Sequence, residues 1–373
     1  MKSNTSSATV LTSRDVAIPW YEPQFDAEDV EAVRATIAGG FINEGKANRA
    51  FESELARHFG VAHAVTTPSG TLALALALKA LGVGPGHTVL IPDMTFIGTA
   101  SAVRLAGAEP ILVDVRLHDF NMDPADAARK IQPNTRAIMP VHLDGRAADL
   151  PALRALAQQH GLALVEDAAE AIGSRGPEGL LGALSDAGCC SLAPTKIITS
   201  GQGGFVLTNR QDVKDNLTRL KDHGRLSRAS DEHPVTGFNF KVTDLQGSLA
   251  LSQWKKLPAR IARAVEIDDR YRAGLRGVGD LVFPARPAPG GYLMWPDFVS
   301  QRRDDLVEAT RQQGVVLRPF WPALHLQPAY ASSDPFPGAT AACTTACWLP
   351  CSPGITDAQI DRVVGAIKDF FTR

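Results

Sequence analysis

Lys196 stands in SLAPTKIITSGQGG (191–204), where the other polar groups are small hydroxyls and amides and glycines follow at 201, 203 and 204. A loop lysine is ordinarily solvated. One held in a partly desolvated pocket has a lowered pKa and becomes a nucleophile toward an aldehyde. Both readings are open for this residue, and other groups bear on the choice. Ser69, Gly70 and Thr71 open an apolar run, and such a helix start either offers free N–H groups to an anion or is simply capped. Phe96, after TVLIPDMT, either stacks on a planar ring or packs into a core. Glu166 and Asp167 close the apolar run LALVEDA, where an unpaired carboxylate is costly or becomes protonated. An aspartate there wants a cation such as a protonated pyridine nitrogen, or serves as a cap or ion-pair partner.

The elements between these groups decide whether they can meet. From about residue 60, short β-rich runs alternate with helical patterns: AHAVTTPSG, TVLIPD, EPILVDV, RAIMPVH and LALVEDA are separated by runs such as TLALALALKALG and DLPALRALAQQHG. Near-continuous apolar strands separated by helices indicate an α/β fold with a mostly parallel sheet covered on both faces. AGCCSLA and GGFVLTN add two strands with no helix between them, so part of the sheet is open to antiparallel pairing. The chain divides into a flexible tail (1–17), a large α/β domain (18–257) and a smaller α+β domain (258–373). Ligands of such sheets bind at the carboxyl ends of the strands, and each chemical group named above follows a strand.

Composition narrows the field. The chain has 373 residues, a formal net charge of −2 and 45% hydrophobic residues, which argues against nucleic acid or anionic membrane as the main partner. No apolar run approaches the roughly 18 residues of a membrane span, and a cytoplasmic location is expected. Of the five cysteines, Cys189 and Cys190 face opposite sides of a strand. Cys343, Cys347 and Cys351 are interrupted by Pro350 and include no C-x-x-C pair, so buried thiols are expected and no metal. Neither G-x-x-x-x-G-K nor G-x-G-x-x-G occurs. A lysine for a Schiff base, an acid for a pyridine nitrogen, an anion site at a helix start and a ring-stacking aromatic are what pyridoxal phosphate requires.

In NEG (43–45), PSGTLAL (68–74), IPDMTF (91–96), PVHLDG (140–145), VEDAAEAIGS (165–174), SLAPTK (191–196), GQGG (201–204), GFNFKVTDLQ (237–246) and RPFWPALHLQPAY (318–330), the chain resembles the pyridoxal-phosphate-dependent sugar aminotransferases of fold type I. The resemblance runs from about residue 18 to the C-terminus. It implies Lys196 as the internal-aldimine lysine and proton shuttle, and Asp167 as partner of the pyridinium nitrogen. It places Phe96 on the ring face and Glu170 near the phenolic oxygen. Ser69, Gly70, Thr71 and Ser191 would hold the phosphate, joined by Asn239 from a neighbouring subunit, which implies a homodimer. His142, Arg225, Lys241, Arg318 and His325 are candidates for the substrate's diphosphate or sugar oxygens, or are ordinary surface charges. The implied reaction is ping-pong, by way of pyridoxamine phosphate, from L-glutamate or glutamine to a keto sugar. Motifs such as KDHGR and HPVTGFN are most similar to the perosamine-synthase subgroup, which aminates C4 of a GDP-linked 4-keto-6-deoxymannose. A keto-cyclitol aminotransferase and a non-catalytic, cofactor-binding regulator are the alternatives. Leu192 stands where Phe is common, Lys241 where Arg is common, and Asp144 where Tyr is common.

Overall fold

The computed structural model describes residues 18–227, 229 and 231–372; the tail expected over 1–17 lies outside them. Two helices that the sequence reading did not anticipate come first, α1 (Ala27–Ala38) and α2 (Lys46–Phe59). The missed signal was Asp26-x-x-Asp29: each side chain accepts from the other's backbone N–H, closing a capping box.

The strands then arrive as the apolar runs demand: β1 (His63–Thr67), β2 (Thr88–Pro92), β3 (Glu109–Val113), β4 (Thr135–Ile138) and β5 (Ala163–Asp167). A two-residue hairpin, β6 (Arg175–Gly176) and β7 (Gly179–Leu180), follows, then β8 (Ala187–Ser191) and β9 (Gly204–Thr208). The main sheet has seven strands in the order β1-β9-β8-β5-β4-β2-β3. Its pairs from β3 to β8 are parallel, whereas β9 runs antiparallel to both β8 and β1. That reversal follows from the missing helix between β8 and β9. The short link 192–203 turns the chain straight back and leaves Lys196 beyond the carboxyl end of β8.

Alternation along the strands supplies both faces with a core. Val89, Ile91, Met139 and Val165 join one buried cluster, while Leu90, Ile138 and Leu164 join a second on the other side. Helix α3 (Gly70–Ala80) is apolar nearly all round because it is buried from Ala73 to Leu78, packed against α4 (Gly98–Ala106) and β8. C-terminal to the long helix Leu257–Leu275, a second sheet forms from β10 (Asp297–Val299), β11 (Arg318–Pro319) and β12 (Ala346–Trp348), all antiparallel. Strand β11 stops after two residues at a proline, which lacks the N–H that a ladder needs. The four-residue cysteine spacing puts Cys343 in the helix Pro337–Thr345, Cys347 on β12 and Cys351 beyond it, all buried as free thiols. Among the described residues no helix is long and apolar enough to cross a membrane.

Candidate active site

At the carboxyl ends of β1, β5 and β8 lies a cavity of about 280 Å³ that gathers Ser69, Gly70, Thr71, Phe96, Asp167, Glu170, Ser191 and Lys196. Two clefts elsewhere on the surface are larger, about 530 Å³ each, but hold none of these groups. The chemistry therefore belongs to the smaller cavity.

Asp167 ends β5 and is buried. Thr99 Oγ1 donates to its Oδ2 at 2.8 Å and the Ala169 N–H donates to its Oδ1 at 3.1 Å. Burial pushes its pKa up, the two hydrogen bonds hold it back in part, nearby Glu170 adds to the rise and the charge of Lys196 lowers it a little. Among the described residues it makes no ion pair, so a cation set against it would be stabilised. Thr99 carries no motif signal of its own. It reaches Asp167 from the first turn of α4, which starts two residues after Phe96, and Thr95 and Thr99 share a hydrogen bond of 2.9 Å.

Lys196 Nζ donates to Glu170 Oε1 at 3.3 Å and lies 4.7 Å from the centre of the Trp295 ring. Its loop is clamped from several directions. The Tyr21 hydroxyl donates to the Lys196 carbonyl at 2.7 Å, and Trp295 Nε1 donates to the Thr195 carbonyl at 3.2 Å. Glu170, itself buried, also accepts the Asp144 N–H at 3.2 Å. Such clamping fixes the amine's position before any ligand arrives.

Ser69 caps α3 by accepting the Leu72 N–H at 3.2 Å, which leaves the first-turn N–H groups of Gly70 and Thr71 without intrahelical partners. Gly70 is required by close approach rather than by its dihedral. A Cβ there would meet the Ser191 Cβ at 2.8 Å. Phe96 is half-exposed and tilts against Trp321 with ring centres 5.6 Å apart.

The other candidates are placed differently. His142 is fully buried: its Nδ1 accepts the Ala148 N–H at 3.1 Å, so Nε2 carries the hydrogen and donates to Glu166 Oε2 at 2.9 Å. Neither nitrogen remains for a substrate, which corrects the expectation from PVHLDG. His325 is also diverted, its Nδ1 bonded to Asp93 Oδ2 at 2.5 Å and its ring stacked on Phe336, away from the cavity wall. Lys241 Nζ is held by Asp222 at 2.5 Å, and Arg225 lines a separate surface cleft. Asn239 is exposed, bridged through its backbone to Asp222 rather than turned into the cavity of its own chain. Only Arg318 of the five substrate candidates reaches the cavity, together with Trp20, Trp295 and Trp321, which the sequence reading did not single out.

This constellation has counterparts among known proteins. A family described as the DegT/DnrJ/EryC1/StrS aminotransferase family matches residues 23–368. The chain belongs to that family. It is 33% identical over 355 residues to the GDP-perosamine synthase of Caulobacter vibrioides, covering 93% of this chain and 94% of the relative. It is 31% identical over 363 residues to the GDP-perosamine synthase of Vibrio cholerae, covering 95% and 99%. The structure of S. venezuelae DesV in complex with a ketimine intermediate superposes with a TM-score of 0.89 at 31% identity, covering 95% of this chain and 99% of that one. As a member of the DegT/DnrJ/EryC1/StrS family, the protein is a pyridoxal-phosphate-dependent sugar aminotransferase, using a keto sugar and an amino donor. The cavity fits the cofactor: among the described residues it offers a buried carboxylate without an ion pair, first-turn N–H groups without intrahelical partners, and a lysine amine hydrogen-bonded to Glu170.

Proposed function

We propose that the enzyme moves an amino group from L-glutamate, or glutamine, to C4 of a GDP-linked 4-keto-6-deoxyhexose of the kind that leads to perosamine. The observation that carries the catalytic part is the meeting of Lys196, Glu170 and Asp167 in one cavity. The two GDP-perosamine synthases, alike over nearly their whole lengths, support the substrate.

Asp167 and Thr99 would hold the cofactor's ring nitrogen, Phe96 its face, and Gly70, Thr71 and Ser191 its phosphate. Bound there, pyridoxal phosphate supplies an aldehyde carbon that captures amines and a ring that stores an electron pair. Lys196 Nζ then takes the proton from the donor's α-carbon, and Glu170 Oε1 steadies the resulting ammonium at a distance already set. Asp167 stays ionised against a cation that offsets its burial. The low-dielectric tryptophan wall strengthens each of these charge interactions. Donor and acceptor occupy the same cavity in turn, which gives ping-pong kinetics.

The exposed Asn239, off the wall of its own cavity, supports a homodimer in which the same residue of one subunit completes the phosphate site of the other. The cofactor site then belongs to a large domain (18–257), with Trp295, Arg318 and Trp321 brought by a smaller one (258–373), in a cytoplasmic enzyme.

The test is incubation of cofactor-loaded protein with L-glutamate and GDP-4-keto-6-deoxymannose, the product followed by mass spectrometry. A GDP-linked amino sugar is the expected result. Amination of a keto-cyclitol with the GDP sugar untouched would overturn the substrate assignment.

A further inference from the structure

Three buried acids beside the cavity, Asp144, Glu170 and Asp297, have two cations in contact with them. Lys196 Nζ is met by Glu170 Oε1 at 3.3 Å. The Arg146 guanidinium is committed to Asp297, its Nη1 donating to Oδ2 at 2.9 Å and its Nη2 to Oδ1 at 2.6 Å, while its Nε donates to the Ala285 carbonyl. The third acid, Asp144, is fully buried and lies off the cavity wall. Arg146 Nη1 stands 3.7 Å from its Oδ2, beyond hydrogen-bond reach. That oxygen accepts the Trp348 Nε1–H at 2.8 Å, and among the described residues Oδ1 has no hydrogen-bond partner.

Asp144 is not free to move away. Its backbone is left-handed, with φ 54° and ψ 25°, a conformation that aspartate tolerates better than most residues. The Asp144 N–H donates to Glu170 Oε2 at 3.2 Å, and the Asp144 carbonyl accepts the Met294 N–H at 3.1 Å. The Ser174 hydroxyl pins the next carbonyl, that of Gly145, at 2.8 Å. One N–H thus aims Glu170, whose other oxygen meets Lys196. Burial, reinforced by the charges of Glu170 and Asp297, pushes the Asp144 carboxyl well above the ordinary range, against Arg146 and the Trp348 indole. The buried Cys351 thiol also faces it, and Arg318, beyond Trp348, bears on Glu170. Both oxygens of Glu170 and of Asp297 are occupied by donors, so the one place left for a hydrogen is Asp144 Oδ1. A neutral acid is also the form that costs least at such a site.

We propose that Asp144 carries a proton in the resting enzyme and, as a neutral positioning residue, leaves the charge of Glu170 to Lys196. This rests on the reading of Lys196 as the group that takes the donor's α-proton, and adds what sets how strongly it holds that proton. Ionised, Asp144 would put a second negative charge behind Glu170, and Lys196 would hold the proton too tightly to pass it on. A carboxyl with a raised folded pKa ionises only as pH rises through that value, so the effect falls on the alkaline side.

The test uses cofactor-loaded wild type, Asp144→Asn and Asp144→Ala. The amide has the size of the neutral acid and does not ionise, whereas alanine removes the acceptor of the Trp348 indole. Infrared difference spectra at neutral pH, wild type minus Asp144→Asn, should show the carbonyl stretch of a protonated carboxylic acid, shifted in heavy water. In stopped-flow records of the donor half-reaction with L-glutamate, the ratio of the Asp144→Asn rate to the wild-type rate should climb at least about threefold from neutral to alkaline pH. At neutral pH Asp144→Ala should run about tenfold slower than Asp144→Asn. Carboxylate bands in place of the protonated stretch, a rate ratio flat with pH, or Asp144→Asn as slow as Asp144→Ala would overturn the assignment. So would an Asp144→Asn chain that does not fold, since the amide only fixes the neutral state. If no amino donor reacts with the wild type, the amino-transfer reading falls, and the infrared spectra still decide whether Asp144 carries the proton.

Discussion

Glu166 and Asp167 are consecutive carboxylates at the end of β5, both buried, and they face opposite ways. Glu166 is saturated: it accepts from His142 Nε2, the Gly182 N–H, the Leu184 N–H and the Ser185 hydroxyl, at 2.7 to 2.9 Å. Burial pushes its pKa up, but His142 and the backbone donors outweigh burial and bring it below the ordinary value. Asp167 has two donors against the same burial, and its pKa is raised. One carboxylate ties the hairpin region to the sheet and needs nothing more. The other is left short of positive charge in the cavity that holds Lys196. The difference separates a structural acid from one poised for a cationic ligand, at adjacent positions with similar exposure.

The pair can be broken from either side. Asp167→Asn should slow the donor half-reaction by about 10²–10³-fold, the scale of losing one preorganised charge. The thermal midpoint of the cofactor-free protein should hold or rise, because the uncompensated carboxylate is gone. A loss of folding with normal turnover in the folded fraction would reverse the assignment. Glu166→Gln should do the opposite. It removes the charge from a set of converging donors and should cost about 3 kcal/mol in denaturant unfolding. The half-reaction rate per folded molecule should stay within about threefold, because none of these contacts reaches the cavity.

Acidity sharpens the contrast, since the two shifts have opposite signs. The lowered pKa of Glu166 means that its stabilisation is present above the ordinary value of 4.5 and is lost as pH falls through the lower folded value. The raised pKa of Asp167 means that its contribution is full below the ordinary 3.8 and is lost as pH rises through the folded value. In thermal melts of cofactor-free protein, the deficit of Glu166→Gln should shrink on acidification. The advantage of Asp167→Asn should grow as pH rises. Parallel curves for the two variants would contradict this. The smallest effect is expected for Thr99→Val, which removes one of the two donors to Asp167 and should weaken cofactor binding by about 1 kcal/mol in an equilibrium titration.

Much of this was open to sequence reasoning, and the failures have physical reasons. LALVEDA indicated a buried strand ending in acids, and in the structure strand alternation puts the two on opposite faces. What it could not tell was which face held the donors, because Gly182, Leu184 and Ser185 return to the strand only through the hairpin. The same gap explains His142. Read after RAIMPV it stands at a strand end, like the cofactor groups, but its ring turns to Glu166 beneath the sheet. His325 is similar: Asp93, 232 residues earlier, captures it. Lys196, Gly70 and Phe96 were legible because short motifs set their positions relative to β8, α3 and β2. The tryptophan cage was not. Trp20, Trp295, Trp321 and Trp348 come from separate segments, and only the folded chain brings their rings together around β12.

The most direct test of the account is the absorption spectrum of the cofactor-loaded protein before and after L-glutamate, with Lys196→Ala beside it. The account predicts a visible band from the lysine-linked cofactor that glutamate bleaches in the wild type, and no lysine-linked band in the variant. A wild-type band that no amino donor changes, or a variant indistinguishable from the wild type, would contradict it.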